Sequence, residues 1–479
     1  MIDETGLIMT INALSAIPQI GKMLEQAFLS PYIERLSQPV VADLVREQVN
    51  GYKKDHLRNP EHIPFSLETL YSRIERACWQ VNQQRLQRVI NGTGVIVHTN
   101  LGRSPLDADV WQAVTEVNTH YSNLEIDLTT GKRGKRKGLL QQLMHYLVKG
   151  EDTLVVNNNA SSIYLMLHEI AKGKEVIVSR GEQIQIGGGF RIPDILALSG
   201  AKLVEVGTTN ITTVDDYLDA VTDNTAMVLI VHTSNFKIRG FTQSPDIKDL
   251  ADLLPDHVVL AVDQGSGTTT ENLPDEPSVM SYIKAGADLV CFSGDKIIGG
   301  PQAGMVTGKQ SLIKRLEKNP MMRAFRPSRI VYSLLEELAV RKLNQLKTGQ
   351  GIAERSITQA EVTLENKAQQ LAEGFGERLR IVRSEMTVGG GSLPDQQSPS
   401  SSVEVNAISL SADKLLEIMR NWPLPVIGVI KHDRVQLNLA TISDDEITYL
   451  RQQLAALFDL QLRGSCSNVT DTKKVEAAI

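Results

Sequence analysis

The sequence predicts an α/β protein, a mostly parallel sheet with helices on both faces, with a helical region before it and a small α+β region after it. Three observations carry this. Seven short β-rich runs alternate with helix-like segments between 89 and 345: VIVH (95–98), TLVV (153–156), EVIV (175–178), KLVEV (202–206), MVLIV (227–231), HVVLAV (257–262) and DLVCF (288–292). Alternation of this kind builds βαβ units. Residues 1–88 show apolar positions at helical spacing throughout, and residues 346–465 mix helical and strand-like pieces.

Taken in order, the first region contains IPQIGKMLEQAFL, VVADLVREQV and the long amphipathic SLETLYSRIERACWQVNQQRLQRV, which Ser66 opens as an N-cap with Glu68 in the first turn. Acids and bases are about equal in number there. In the central region each β-rich run leads into polar or Gly-rich residues, and in such sheets ligands gather beyond the carboxyl ends of the strands. Helix returns in SLLEELAVRKLNQL and ITQAEVTLENKAQQLAEGF. VGGGSLPDQQSPSSS (388–402) reads as a loop between strands, and the pieces from VEVNAISL to DDEITYLRQQLAALF as a small α+β domain. The polar tail 466–479 reads as frayed. The expected domains are therefore 1–88, 89–345 and 346–465, followed by that tail.

Composition bounds the function. The 479 residues are 42% hydrophobic and 22% charged, which fits a globular chain of several domains. No apolar run reaches the length of a membrane span, and the N-terminus lacks the basic stretch of a signal peptide. The three cysteines, Cys78, Cys291 and Cys466, are far apart and suit the cytoplasm, and no metal-ligand spacing occurs. A net charge of −6 offers nucleic acid no global attraction, so any RNA contact must be a local patch.

The chemistry concentrates at strand ends. Lys296 follows DLVCF among Ser293, Gly294, two isoleucines and GGP, where poor solvation lowers a lysine's pKa and makes it a nucleophile for a carbonyl. One βα unit earlier, HVVLAV ends at Asp263. A lysine to hold an aldehyde as a Schiff base and an acid to pair with a pyridinium nitrogen are what a pyridoxal 5'-phosphate site needs. The turn Asn157, Asn158, Asn159, Ala160, Ser161 opens a helix and suits a phosphate, although taken alone an ordinary N-cap is the better reading. Ser293 is a second phosphate candidate. Arg103, after VIVH, and Arg323 and Arg326, spaced to share one helix face, are candidate anion ligands. The basic loop GKRGKRKG (131–138) fits either a phosphate contact or a charged turn. His232 and Phe190 are candidates for stacking on the cofactor ring, against the more common ordinary core or loop role for each.

These residues lie in motifs that resemble the bacterial selenocysteine synthase (L-seryl-tRNA(Sec) selenium transferase) family: RVINGTGVIVHTNLGRSPL, SNLEIDLTTGKRGKR, VVNNNAS, EVIVSRGEQIQIGGGFRIPDI, EVGTTN, HTSNFKIRGFT, FSGDKIIGGPQAG, GGGSLP and PVIGVI. The resemblance implies a fold-type-I pyridoxal phosphate transferase that assembles as a homo-oligomer, dimers joined into a ring. It implies that Lys296 carries the cofactor, that Asp295 supports catalysis, and that Arg103, Arg323 and Arg326 hold selenophosphate. The implied reaction takes seryl-tRNA(Sec) to selenocysteyl-tRNA(Sec) through an aminoacrylyl intermediate, with residues 1–88 contacting tRNA.

The chain departs from the family at several positions. Gln185 replaces a glutamate, Ile211 and Val429 replace arginines, NLAT (438–441) stands where DLR is usual, and Gln264 interrupts DLGSG. Those lost charges leave a second expectation open: a related pyridoxal phosphate lyase acting on a small, phosphorylated amino acid or an amino-sugar acid. A third, a catalytically silent RNA-binding scaffold, conflicts with the intact Lys296 and Asp263.

Overall fold

The computed structural model describes residues 14, 16–58, 66–186, 189–232, 236, 238–269, 273, 276–389, 392–407 and 410–465. The chain divides into two compact units, 1–88 and 89–479. The expected tail at 466–479 lies outside the described residues.

The first unit is helical among its described residues. Its longest helices are α1 (Gln38–Arg58) and α2 (Leu67–Asn82). On α1 the buried Val41, Val45, Val49 and Tyr52 recur every three or four residues, and they pack against Leu70, Ile74 and Cys78 of α2. Ser66 caps α2 by accepting from Thr69 N at 3.2 Å. The Tyr52 hydroxyl accepts from Ser66 N at 2.8 Å, tying the cap to α1.

The second unit centres on a seven-stranded sheet. Its strands are β1 (Asp152–Val156), β2 (Glu175–Ser179), β3 (Lys202–Val206), β4 (Thr225–Val231), β5 (Val259–Gly265), β6 (Leu289–Ser293) and β7 (Gly304–Gly308). They lie in the order β1-β7-β6-β5-β4-β2-β3, and only β7 runs against its neighbours. Successive side chains point to opposite faces. Val228, Ile230, Leu260, Val262 and Val290 therefore pack against the helices Leu140–Val148, Ile247–Leu253, Val279–Lys284 and Arg329–Leu343. Met227, Leu229, Ala261, Leu289 and Cys291 pack against α3 (Asn159–Ile170) and the helices Ile192–Ser199 and Gln310–Lys318. Six of the seven β-rich runs form strands of this sheet.

VIVH is the exception. Val95 only bridges Thr387, and Ile96 N and Val97 N donate to Thr387 O and Val388 O at 3.0 and 2.6 Å. Its partner lies almost 300 residues away, which local pattern does not specify. Conversely β7, GMVTG, has a glycine at each end and little local strand signal, yet its reversed direction brings Gly304 to the rim beside Val156 and Ser293.

The C-terminal part carries a four-stranded antiparallel sheet in the order β8 (Leu379–Gly389), β9 (Ser392–Val405), β11 (Arg434–Asn438), β10 (Val429–Lys431). Residues 392–402 of the Gly/Ser/Pro-rich segment expected to be a loop lie in strand β9. Its backbone ladder with β8 runs through Pro399, which stands opposite Glu385. The buried serines meet their hydrogen-bonding needs sideways: Ser400 Oγ donates to Asn438 Oδ1 at 2.8 Å and Ser402 Oγ to Ser384 Oγ at 2.7 Å. A strand whose side chains pair by hydroxyl and amide shows no apolar pattern.

Candidate active site

Lys296 follows β6 by three residues and is only 6% exposed, walled by the buried Ile297 and Ile298. Burial lowers its pKa from the usual lysine value. The carboxylates of Asp263, Asp295 and Glu276 pull the other way, and the Arg103 guanidinium adds to the lowering. Asp263, on β5, is buried too. Its Oδ1 accepts from Asn159 Nδ2 at 2.7 Å and from the Cys291 thiol at 3.5 Å. Burial pushes this carboxyl upward, and those hydrogen bonds, Lys296 and His232 hold it back. Lysine and acid are thus two desolvated groups facing one rim, each drawn toward its neutral form.

At the start of α3, Asn158 caps the helix, accepting from Ser161 N at 2.9 Å and Ser161 Oγ at 3.0 Å. First-turn N–H groups, here those of Asn159 and Ala160, have no intrahelical acceptor and point out of the helix. The Asn159 side chain holds Asp263, while its backbone N–H stays among the free groups of the first turn. The N-terminus of α3 sits tight on β7: a Cβ at Gly304 would lie 2.2 Å from Asn158 O and 2.3 Å from Ser162 Oγ. Ser162 Oγ and Asn159 Oδ1 are buried without hydrogen-bond partners among the described residues. Ser293, buried at the end of β6, completes this rim. A buried amine, a buried carboxyl and a helix start with polar atoms left unpaired fit the donor set that pyridoxal phosphate requires.

Arg103 stands in the left-handed backbone region (φ 66°) after the short turn Thr99–Leu101, and donates to Asp295 Oδ2 at 2.7 Å. The Asp295 carbonyl accepts from Ser104 N at 3.2 Å. Arg323 and Arg326 do not share a helix face. Their helix, α4, covers only Met322–Phe325, and Arg326 leaves it with extended backbone. Pro327 explains the break, because the residue before a proline is pushed out of the helical region. Arg323 is exposed, while Arg326 lies 3.8 Å from Glu125. The segment still reaches the site, since Asn157 N donates to Phe325 O at 3.0 Å. In the basic loop, Arg133 and Arg136 pair with the same Glu125, and Lys137 with Asp152 and Glu317. The loop is a salt-bridged turn that adds Arg136 to the Arg326 neighbourhood.

Of the stacking candidates, His232 lies at the end of β4, its N–H donating to Asp263 O at 2.9 Å. The Phe190 side chain lies outside the described residues. Three of the departures lie on the surface or at a sheet edge. Gln185 accepts from Arg191 Nε at 2.7 Å, Ile211 is in an exposed loop, and Val429 opens the edge strand β10. Sequence reasoning missed Glu276, a buried acid ahead of Pro277 in the connection after β5, whose only signal was a charge next to proline.

The L-seryl-tRNA selenium transferase (SelA) family model matches residues 89–443. The chain belongs to that family. It is 37% identical over 464 residues to the L-seryl-tRNA(Sec) selenium transferase of Aquifex aeolicus (strain VF5), covering 94% of this chain and 100% of that one. It is 38% identical over 461 residues to the protein of the same name from Alkaliphilus metalliredigens (strain QYMF), covering 92% and 98%. Among solved structures, D-glucosaminate-6-phosphate ammonia-lyase superposes with a TM-score of 0.56 at 20% identity, covering 78% of this chain and 96% of that one. The fold is the expected fold-type-I transferase architecture.

Proposed function

We propose that this member of the family converts seryl-tRNA(Sec) to selenocysteyl-tRNA(Sec), using pyridoxal 5'-phosphate and taking selenium from selenophosphate. The observation that carries the reading is the buried Lys296 beside the buried Asp263, in a chain alike over nearly its whole length to transferases of that name. Lys296 would hold the cofactor, Asp263 its ring nitrogen, and the Asn158–Ser161 turn with Ser293 its phosphate. When bound, the cofactor supplies an electron sink for a carbanion at the seryl Cα.

The chain's own residues do the rest. Lys296, held toward its neutral form, takes the Cα proton at Nζ. The seryl hydroxyl departs from Cβ with that proton as water, the donor's selenium forms the Cβ–Se bond as Cα regains a proton from Lys296 Nζ, and water cleaves the Se–P bond to release phosphate. Asp295 and Arg103 brace one another at 2.7 Å beside Lys296, which supports Arg103 as a residue that would meet the donor's charge. Arg323 and Arg326, on the segment whose Phe325 carbonyl meets Asn157 N, would supply further positive charge.

Absorbance near the Schiff-base band, lost in Lys296→Ala, tests the cofactor. A protein that stays colourless after cofactor addition sinks the reading. Binding to seryl-tRNA(Sec) against seryl-tRNA(Ser) tests the substrate, and equal binding to both would favour the small-molecule lyase instead.

A further inference from the structure

Beside the Asp263–Lys296 pair lies a buried polar chain that the proposed reaction does not use. Gln264 is completely buried immediately after Asp263. Its Nε2 shares two hydrogens among three acceptors, Glu276 Oε1 at 3.1 Å, Pro277 O at 3.2 Å and Ser266 Oγ, and its Oε1 accepts from Gly267 N at 2.8 Å. The other Glu276 oxygen, Oε2, meets His232 Nε2 at 3.2 Å. Tyr282 Oη lies 3.5 Å from His232 Nδ1. Glu276 is only 4% exposed and Gln264 fully buried, so neither gains from water what it would lose if its partner moved.

We infer that Glu276, clamped by Gln264, positions the His232 imidazole against the Asp263–Lys296 site. The partners hold the ring from both sides. A carboxylate only accepts, so His232 Nε2 carries a proton toward Glu276, while Nδ1 faces the Tyr282 hydroxyl. With both nitrogens engaged the ring cannot flip, and it is held at the end of β4, where the His232 backbone N–H donates to Asp263 O at 2.9 Å. Gln264 replaces the leucine of the family's DLGSG, and no leucine could make any of its four hydrogen bonds. Glu276 acts as a positioning residue through His232 rather than by touching the reacting atoms. The inference rests on the cofactor reading above.

A double-mutant cycle read by cofactor binding tests it. The cofactor-free full-length protein is titrated with pyridoxal 5'-phosphate, following absorbance and induced circular dichroism, for wild type, H232A, E276Q, Q264L and the pairs E276Q/H232A and Q264L/H232A. We expect H232A and E276Q each to weaken binding about ten-fold and to reduce the induced band, and Q264L to weaken it about three-fold. In the H232A background neither second substitution should add anything, because residues acting through one ring are non-additive. Full additivity, or unchanged affinity in both E276Q and Q264L, overturns the inference. Should E276Q lose its cooperative melt, the Q264L cycle decides by the same criterion. A wild-type protein that takes up no cofactor overturns the cofactor reading and this inference together. Normal uptake with additive variants overturns this inference alone.

Discussion

Lys296 and Glu182 show how burial sets the chemistry of single side chains in this fold. The ordinary lysine pKa is about 10.4, and burial draws that of Lys296 downward. The rate at which the cofactor-free protein captures pyridoxal 5'-phosphate should therefore rise with pH and reach half its maximum below the ordinary lysine range. Asp263 opposes that lowering, so Asp263→Asn should move the midpoint further down, as stopped-flow absorbance across pH would show. Glu182 is buried beneath the ends of β2 and β4, accepts from Val231 N at 2.9 Å, and has its pKa raised by burial to about 8. A folded-state pKa above the unfolded one means that the native protein keeps a proton the unfolded chain has released. Stability should fall as pH rises from about 4.5 to about 8, by roughly 3–5 kcal/mol from this group alone. Glu182→Gln keeps the acceptor for Val231 N and should flatten that part of the curve, which urea unfolding at pH 5 and pH 8 would reveal.

At the scale of elements, the rim depends on how closely α3 approaches β7. Gly304→Ala puts a methyl within 2.2 Å of Asn158 O, so the helix start must shift. Cofactor affinity should drop at least about ten-fold with a lower melting temperature, both measurable on one preparation. The β8–β9 hairpin depends on Asn438, the first residue of the NLAT departure. Its Nδ2 donates to Glu385 O at 3.0 Å and to Ser384 Oγ at 3.3 Å, while its Oδ1 accepts from Ser400 Oγ and Ala440 N. Asn438→Ala strands several buried partners and should cost about 2–4 kcal/mol by denaturant unfolding. The parallel strands were legible because buried runs such as MVLIV and HVVLAV are continuous and apolar. The serine strand β9 was not, because its stability comes from hydrogen bonds made across the sheet to residues distant in sequence. The shared face expected for Arg323 and Arg326 failed for a local reason: Pro327 ends the helix between them.

For the whole molecule, the first unit is the part the proposed reaction needs only if the substrate is a tRNA. Deleting residues 1–88 should leave cofactor binding by residues 89–479 unchanged and remove the preference for seryl-tRNA(Sec), measured by filter binding against seryl-tRNA(Ser). An unchanged preference would place tRNA recognition in the second unit.

The sequence by itself determined the α/β class, the Lys296–Asp263 pair and the helix start at 158–161. Each is written in contiguous residues: an apolar run, the polar residues that end it, and the local capping chemistry. Only the tertiary structure decided that Asn159 serves Asp263, that Arg103 braces Asp295 and that Glu276 and Gln264 hold His232. Those contacts join residues from 12 to 192 positions apart, and only the folded sheet order sets which strand ends and connections become neighbours.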